Sequence, residues 1–513
     1  MKQKLLLILF VFAAIKGFAQ EATKVFNDVK DVTLRNLGVI KQNNVIKGYF
    51  SFYEFDKADK KNLIYKLNLV DENLNDLGTK EIIGPKKWEL VSTGFDGKNF
   101  CFKFWDEKAK TIELKVYDQE ANEVASSELK VNYRPGGSDY KMYSDMTPPE
   151  LYILGNNGFI DYTFNEPNNA FIISYVDGTT KASWQTTYEP EGKSKVMLPT
   201  FLNGNSDVIL TAVSRVERGW NNGKSELSVL ATSTKDGSQL FDMSTEIGDN
   251  HIVPINAVFE GDKITIIGLN YKSKKVYTTA PDGMAFLEVD KHGQLLKSNF
   301  KTFEESLGKY LPMEDHRLKD GYYLYIHDIA RTNHNTNIVV AEKFKKVADG
   351  LGIAMTVLSR GGAGAVAKLK IENMVVIEYD MNGNVIQAKE VPKGSGNSGS
   401  FPSYVGLLQP YLLAFMANGW GWMDYMYTLK NDDNSEITFS FVDYDRLDAD
   451  AKKTRNFGQI RYKNNQFTVD KFPIKNDKAT FSHLFPAKTN HVLQMNYYKK
   501  EKKLSMDMIK LNN

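Results

Sequence analysis

Apolar and polar residues alternate in short segments through most of the chain. Phe100, Phe102 and Phe104 alternate with Cys101, Lys103 and Trp105, and Ile112, Leu114 and Val116 alternate with Glu113, Lys115 and Tyr117. Side chains of a strand point to opposite faces in turn, so period two predicts β-strands. Long stripes at helical spacing are nearly absent. The strand–helix alternation that a parallel α/β sheet requires is therefore missing.

The strands recur as a unit in which a strand ending in an acid meets a polar turn and then a second strand. Asp71, Asp118, Asp177, Asp236, Asp290 and Asp380 mark these turns, separated by 47, 59, 59, 54 and 90 residues. Aspartate suits the position because its side chain can bond its own backbone, and the glycines that often follow tolerate positive φ. Further strands lie upstream of each turn, such as 99–106, 158–165, 207–216 and 263–271, and before several of these lies another, such as 88–94, 196–202 and 252–260. Four antiparallel strands repeating at about 40–50 residues is the make-up of a propeller blade.

Units end near Ile83, Val131, Tyr188, Thr245, Thr302, Val391 and Ile474, and a shorter last unit runs from Ala479 to Leu511 with about three strands. Residues before Leu37, such as Lys24-Val25-Phe26-Asn27, can supply the missing strand and remove an exposed sheet edge. The predicted fold class is all-β: a single β-propeller of seven or eight four-stranded blades, closed by pairing of the N- and C-terminal strands. Two smaller propellers in tandem are the alternative.

The repeat resembles those of bacterial β-propellers, and the chain resembles an uncharacterised family of secreted bacterial proteins of unknown function. The resemblance covers most of the chain and carries no catalytic motif. Neither the Gly-His to Trp-Asp pair of WD40 repeats nor the glycine doublet of Kelch repeats recurs at blade spacing.

Two regions interrupt the pattern. An insertion is expected at about residues 342–371, where Phe344, Val347, Leu351, Ala354, Met355 and Leu358 fall at helical spacing before Gly361-Gly362-Ala363-Gly364. The charged stretch from Asp448 to Lys453 is expected to be a solvated turn.

Residues 1–19 read as a signal peptide: basic Lys2 and Lys4, an apolar run from Leu5 to Ile15, and a small-residue junction at Phe18-Ala19-Gln20. Cleavage is expected after Ala19, leaving residues 20–513 as one domain outside the cytoplasm, in the periplasm or the medium. The apolar run is well short of the ~20 residues that span a bilayer, so no integral membrane anchor is expected. Loss of Lys2, Lys4 and Lys16 takes the formal charge from +2 to −1. A near-neutral surface argues against nucleic acid as a partner. The single cysteine, Cys101, leaves no intramolecular disulfide, and it reads as a packed thiol.

Candidate chemistry is sparse, and no cofactor, metal or catalytic residue is assigned. His316, His327 and His334, with Asp315 and Asp328, match no metal-ligand template, and His327 sits in a strand where a structural histidine is expected. Gly394-Ser395-Gly396-Asn397-Ser398-Gly399-Ser400 reads as a flexible loop, since the helix that should follow a nucleophile elbow is missing. Gly361 to Gly364 lacks the hydroxyl residue of a P-loop, and its small residues suit helix packing or a weak membrane contact through residues 342–371.

Aromatic residues in loops are the most informative feature, because flat rings beside polar donors bind sugars and peptides. Trp420 and Trp422, with Tyr425 and Tyr427, form one candidate site, and Trp220 with Asn221 a second. The function expected is an exported β-propeller acting as a binding or protein-interaction module, its partner a protein, peptide or glycan. A carbohydrate-active enzyme on a propeller scaffold is the alternative, with carboxylates drawn from several blades.

Overall fold

The structure is a computed structural model that describes residues 20–511 apart from 31–35, 43–44, 132–150, 166–167, 193, 218–223, 350–364, 395, 398, 403–407, 432, 446–453, 475–478 and 489. The expected signal peptide, the pair Trp220 and Asn221, and the tip of the expected insertion lie outside the described residues.

Two compact units are present, one made of Met1–Lys86 with Asn476–Asn513 and the other of Lys87–Lys475. The first holds two four-stranded antiparallel sheets. One contains Leu37–Gln42, Val45–Lys57, Asn62–Asp71 and Asp76–Pro85 in chain order. The other takes Phe481–Pro486, His491–Tyr498 and Lys503–Lys510 from the C-terminal end and Gln20–Phe26 from the N-terminal end. The N-terminal strand runs antiparallel to the last one, with Ala22 opposite Met508, Lys24 opposite Met506 and Phe26 opposite Leu504. Phe26 and Val29 are buried with Leu493, Leu504 and Met506 in one cluster, so the first strand covers core as well as an edge.

Among the described residues the second unit holds six sheets of four or more strands, which begin at Trp88, Tyr152, Lys195, Asn250, Tyr323 and Tyr425 in their first main strand and end at Lys130, Tyr188, Ser244, Thr302, Val391 and Pro473, and a small two-stranded sheet of Met313–Glu314 and Arg317–Leu318. Within this unit consecutive sheets pack face to face. Cys101, Leu114 and Val116 of one meet Phe159 and Val176 of the next, and Ile338, Val340 and Val376 meet Phe439, Phe441 and Ile460. The fold is all-β, with eight four-stranded blades of a β-propeller.

Burial explains which strands alternate. Inner strands are covered on both faces: Phe100–Asp106 and Ala170–Val176 are buried at every position. The outer strand Ser183–Tyr188 alternates cleanly between exposed and half-buried positions. Cys101 is fully buried, and burial pushes its thiol well above the usual range, as befits a packing residue.

The aspartate turns owe their recurrence to backbone satisfaction. Asp71 Oδ1 accepts the N–H groups of Asn73 and Asn75 at 2.8 Å each, and its Oδ2 accepts Asn75 Nδ2 at 2.9 Å. Asp118 and Asp380 repeat the arrangement with Asn122 and Asn384, and Asp290 holds the N–H groups of His292 and Gln294.

Two expectations are corrected. Phe344 and Val347 are not on a helix, because the hairpin of Asn337–Ala348 and Ala365–Tyr379 extends outward as paired strands as far as Ala348 opposite Ala367. The Gly394–Ser400 segment is not a free linker: Gly396–Asn397 and Phe401–Pro402 pair with the strand Ala365–Tyr379.

Candidate functional site

The aromatic corner begins with a helix, Pro410–Gly419, that the strand-dominated pattern concealed. Proline opens it, where its missing N–H costs nothing and its fixed φ suits the first turn. Its end is a Schellman motif. Gly421 is in the left-handed region at φ 69° and donates to Asn418 O at 3.0 Å, while Trp422 N–H donates to Ala417 O at 2.8 Å. The glycine between the tryptophans is thus a helix terminator, and it sets the two indoles 4.7 Å apart at 66°.

The two rings have different surroundings. Trp422 is half-buried, packed 5.3 Å from the buried Phe401 and close against Gly399, where a Cβ would come within 2.6 Å of its ring. Trp420 is 37% exposed, with Asn418, Gly419 and Gly421 exposed around it. Tyr425 and Tyr427 point elsewhere: Tyr425 stacks on His327 at 4.7 Å and 17°, and Tyr427 lies 6.4 Å from Phe457.

Behind this corner the blades ending at Val391 and Pro473 enclose a group of charges that sequence reasoning missed. Lys393 Nζ lies 3.0 Å from Glu342 Oε1 and is hydrogen-bonded to Asp424 Oδ2. Glu342 Oε2 accepts the Asp424 N–H at 3.1 Å and faces His327 Nε2 at 3.1 Å. Tyr444 O–H donates to Asp424 Oδ1 at 3.1 Å. Side chains of Lys393 and Glu342 are 0% exposed and that of Asp424 6%. Asp443 beside them accepts the Gly394 N–H at 2.6 Å and pairs with Lys471 at 2.6 Å.

Strand irregularities aim these groups. The pairing of Tyr323–Arg331 with Asn337–Ala348 shifts between Ile326 and Asp328, leaving His327 at the bulge, and a second shift falls between Tyr425 and Tyr427. Glycines admit the covering segment: a Cβ at Gly396 would meet Asp424 Oδ2 at 2.8 Å, and one at Gly394 would overlap Tyr444 O at 1.6 Å.

Burial pushes Asp424 up to about 6, helped by the Glu342 charge and opposed by Lys393 and Tyr444. Burial pushes Glu342 upward too, but Lys393 and His327 outweigh it and hold that carboxyl below its ordinary value. Burial disfavours the Lys393 ammonium, and the two carboxylates more than restore it. The sequence signal for such groups is a lone charge inside an apolar inner strand, as in Val339-Val340-Ala341-Glu342. Lys103 between Phe102 and Phe104 is another, and it pairs with the buried Asp161.

His316 is partly exposed and His334 exposed, whereas the His327 side chain is 1% exposed. Among the described residues no group of three His, Cys, Asp or Glu side chains is placed to hold a metal ion, and no helix is long and apolar enough to cross a membrane.

A family model described as a family of unknown function, DUF6770, matches residues 1–512. No curated protein matches the sequence. Among solved structures the chain is similar to a prolyl endopeptidase at 11% identity, covering 96% of this chain and 58% of that one, with a TM-score of 0.41. It is also similar to the Nup133 β-propeller domain of Vanderwaltozyma polyspora (8% identity, 92% and 100% covered, TM-score 0.38). The WD40 domain of SCAP from fission yeast is a third likeness (8%, 95% and 98%, TM-score 0.35). The chain thus spans 58% of the length of the endopeptidase.

Proposed function

We propose that this chain, which belongs to the DUF6770 family of unknown function, is an exported binding module that holds its ligand against the face of Trp420. The observation that carries this reading is a solvent-open indole fixed at the end of a capped helix, beside an exposed asparagine. A ring held that way loses little freedom on stacking against a sugar or peptide, so its contact area converts efficiently into affinity. Trp422 and Phe401 form the packed floor beneath it. Residues 1–19 serve as the export signal, and Gln20 begins the first strand directly after the cleavage site.

Glycoside chemistry is less well supported. It needs two carboxyl groups open to substrate, and the pair brought together here, Glu342 and Asp424, is buried around one ammonium.

Panels of glycans and peptides screened against the mature chain test the proposal. Trp420→Ala should weaken the bound ligand by about 1–3 kcal/mol in calorimetric titration while thermal unfolding stays the same. A ligand that binds this variant as tightly as the wild type would place the site elsewhere.

A further inference from the structure

Lys393, Asp424 and Glu342 meet in a setting that favours covalent chemistry between the first two. Separating an ammonium and two carboxylates from water is expensive, and the attraction between them seldom repays that cost. An amide between Lys393 and Asp424 would remove two of the three charges from the interior. The reacting atoms are already together: Nζ is hydrogen-bonded to Asp424 Oδ2, and Glu342 Oε1 lies 3.0 Å from the same Nζ. Glu342 Oε2 also accepts the Asp424 N–H, which keeps the second carboxylate beside both partners.

We propose that Lys393 and Asp424 become joined by an amide between Nζ and Cγ, formed with loss of one water and with Glu342 carrying the proton. The Lys393 ammonium passes one proton to Glu342, and the free amine attacks Cγ of Asp424. Tyr444 O–H holds Oδ1, the oxygen that stays. As the C–N bond forms, the bond from Cγ to Oδ2 breaks; Oδ2 takes the proton from Glu342 and a second from the nitrogen, and leaves as water. One positive and one negative charge disappear together, and Glu342 ends as it began, so neither oxidant nor co-substrate is needed. Burial makes Asp424 the more easily protonated carboxyl, which suits it to be the group attacked.

The test is mass spectrometry of the mature, denatured protein and its tryptic peptides. No Lys or Arg lies between Gly394 and Leu429, and an acylated Lys393 resists trypsin. The proposal expects a looped peptide from Glu390 to Lys430, uncut after Lys393 and lighter by one water, which chymotrypsin opens into two chains joined at Lys393 and Asp424. Glu342→Gln should slow its formation by roughly 10²-fold or more, and Lys393→Arg should abolish it. A linear peptide from Gly394 to Lys430 as the sole product of the folded wild-type chain would overturn the proposal. So would water loss that fragmentation assigns to another aspartate. The wild-type peptide decides the matter even if a variant fails to fold.

Discussion

Asp71, Asp118, Asp290 and Asp380 each bind two N–H groups of the turn that follows, so a recurring residue in the sequence corresponds to a recurring backbone requirement. The same turns need one residue at positive φ. Glycine fills it at Gly293 and Gly383, but Leu74 and Ala121 hold it at φ 68° and 63°. The left-handed conformation costs an ordinary residue about 1–2 kcal/mol, partly offset by the extra chain entropy glycine loses on folding. Ala121→Gly should therefore raise stability in denaturant unfolding by about 0.5–1 kcal/mol. Leu74→Gly should lower it, because Leu74 is buried in a core cluster and its lost packing exceeds the relief of strain. If both variants move together, backbone strain is not what distinguishes these turns. Aspartate made the turns legible in the sequence; the positive φ at Leu74 and Ala121 was not, since neither residue type signals it.

At the scale of elements, strands were legible even where both faces are buried, as in Phe100–Asp106, and the helix Pro410–Gly419 was not. Its apolar residues Leu412, Leu413, Ala414 and Ala417 are buried, and Tyr411 and Met416 are partly buried. Little polar face remains to produce an amphipathic stripe, so the segment reads like the strands around it. The tryptophans beyond it were visible as a cluster, but the reason for the intervening glycine lay in the helix end. A Cβ at Gly421 would meet open space, so Gly421→Ala isolates the backbone term. It should cost about 1 kcal/mol and speed amide exchange of Trp420 and Trp422. An unchanged exchange rate would show that the helix end does not hold the indoles. The meeting of the charges around Lys393 was illegible for a different reason: its members come from a strand interior, strand ends, a bulge and a covering segment in two blades, and no spacing in sequence records that meeting.

Across the whole molecule, blade boundaries could be read to within a few residues because the strands recur in fours between polar turns. Units expected to end near Tyr188, Thr302 and Val391 end at Tyr188, Thr302 and Val391. The contact between chain ends was inferred from a missing strand, and the sheet built from both ends bears it out. The C-terminal end supplies only three strands of its blade, so the pairing of Gln20–Phe26 with Lys503–Lys510 is what completes that sheet. Thermal and denaturant unfolding of a chain lacking residues 20–26, measured against the mature chain, tests it most directly. Removing the strand deletes Phe26 from the core, a loss of about 3–5 kcal/mol for the ring alone, and frees the edge of Lys503–Lys510. Destabilisation of at least that size is expected, together with self-association through the exposed edge. Unfolding at the same temperature and denaturant concentration as the mature chain, with no change in oligomeric state, would contradict it.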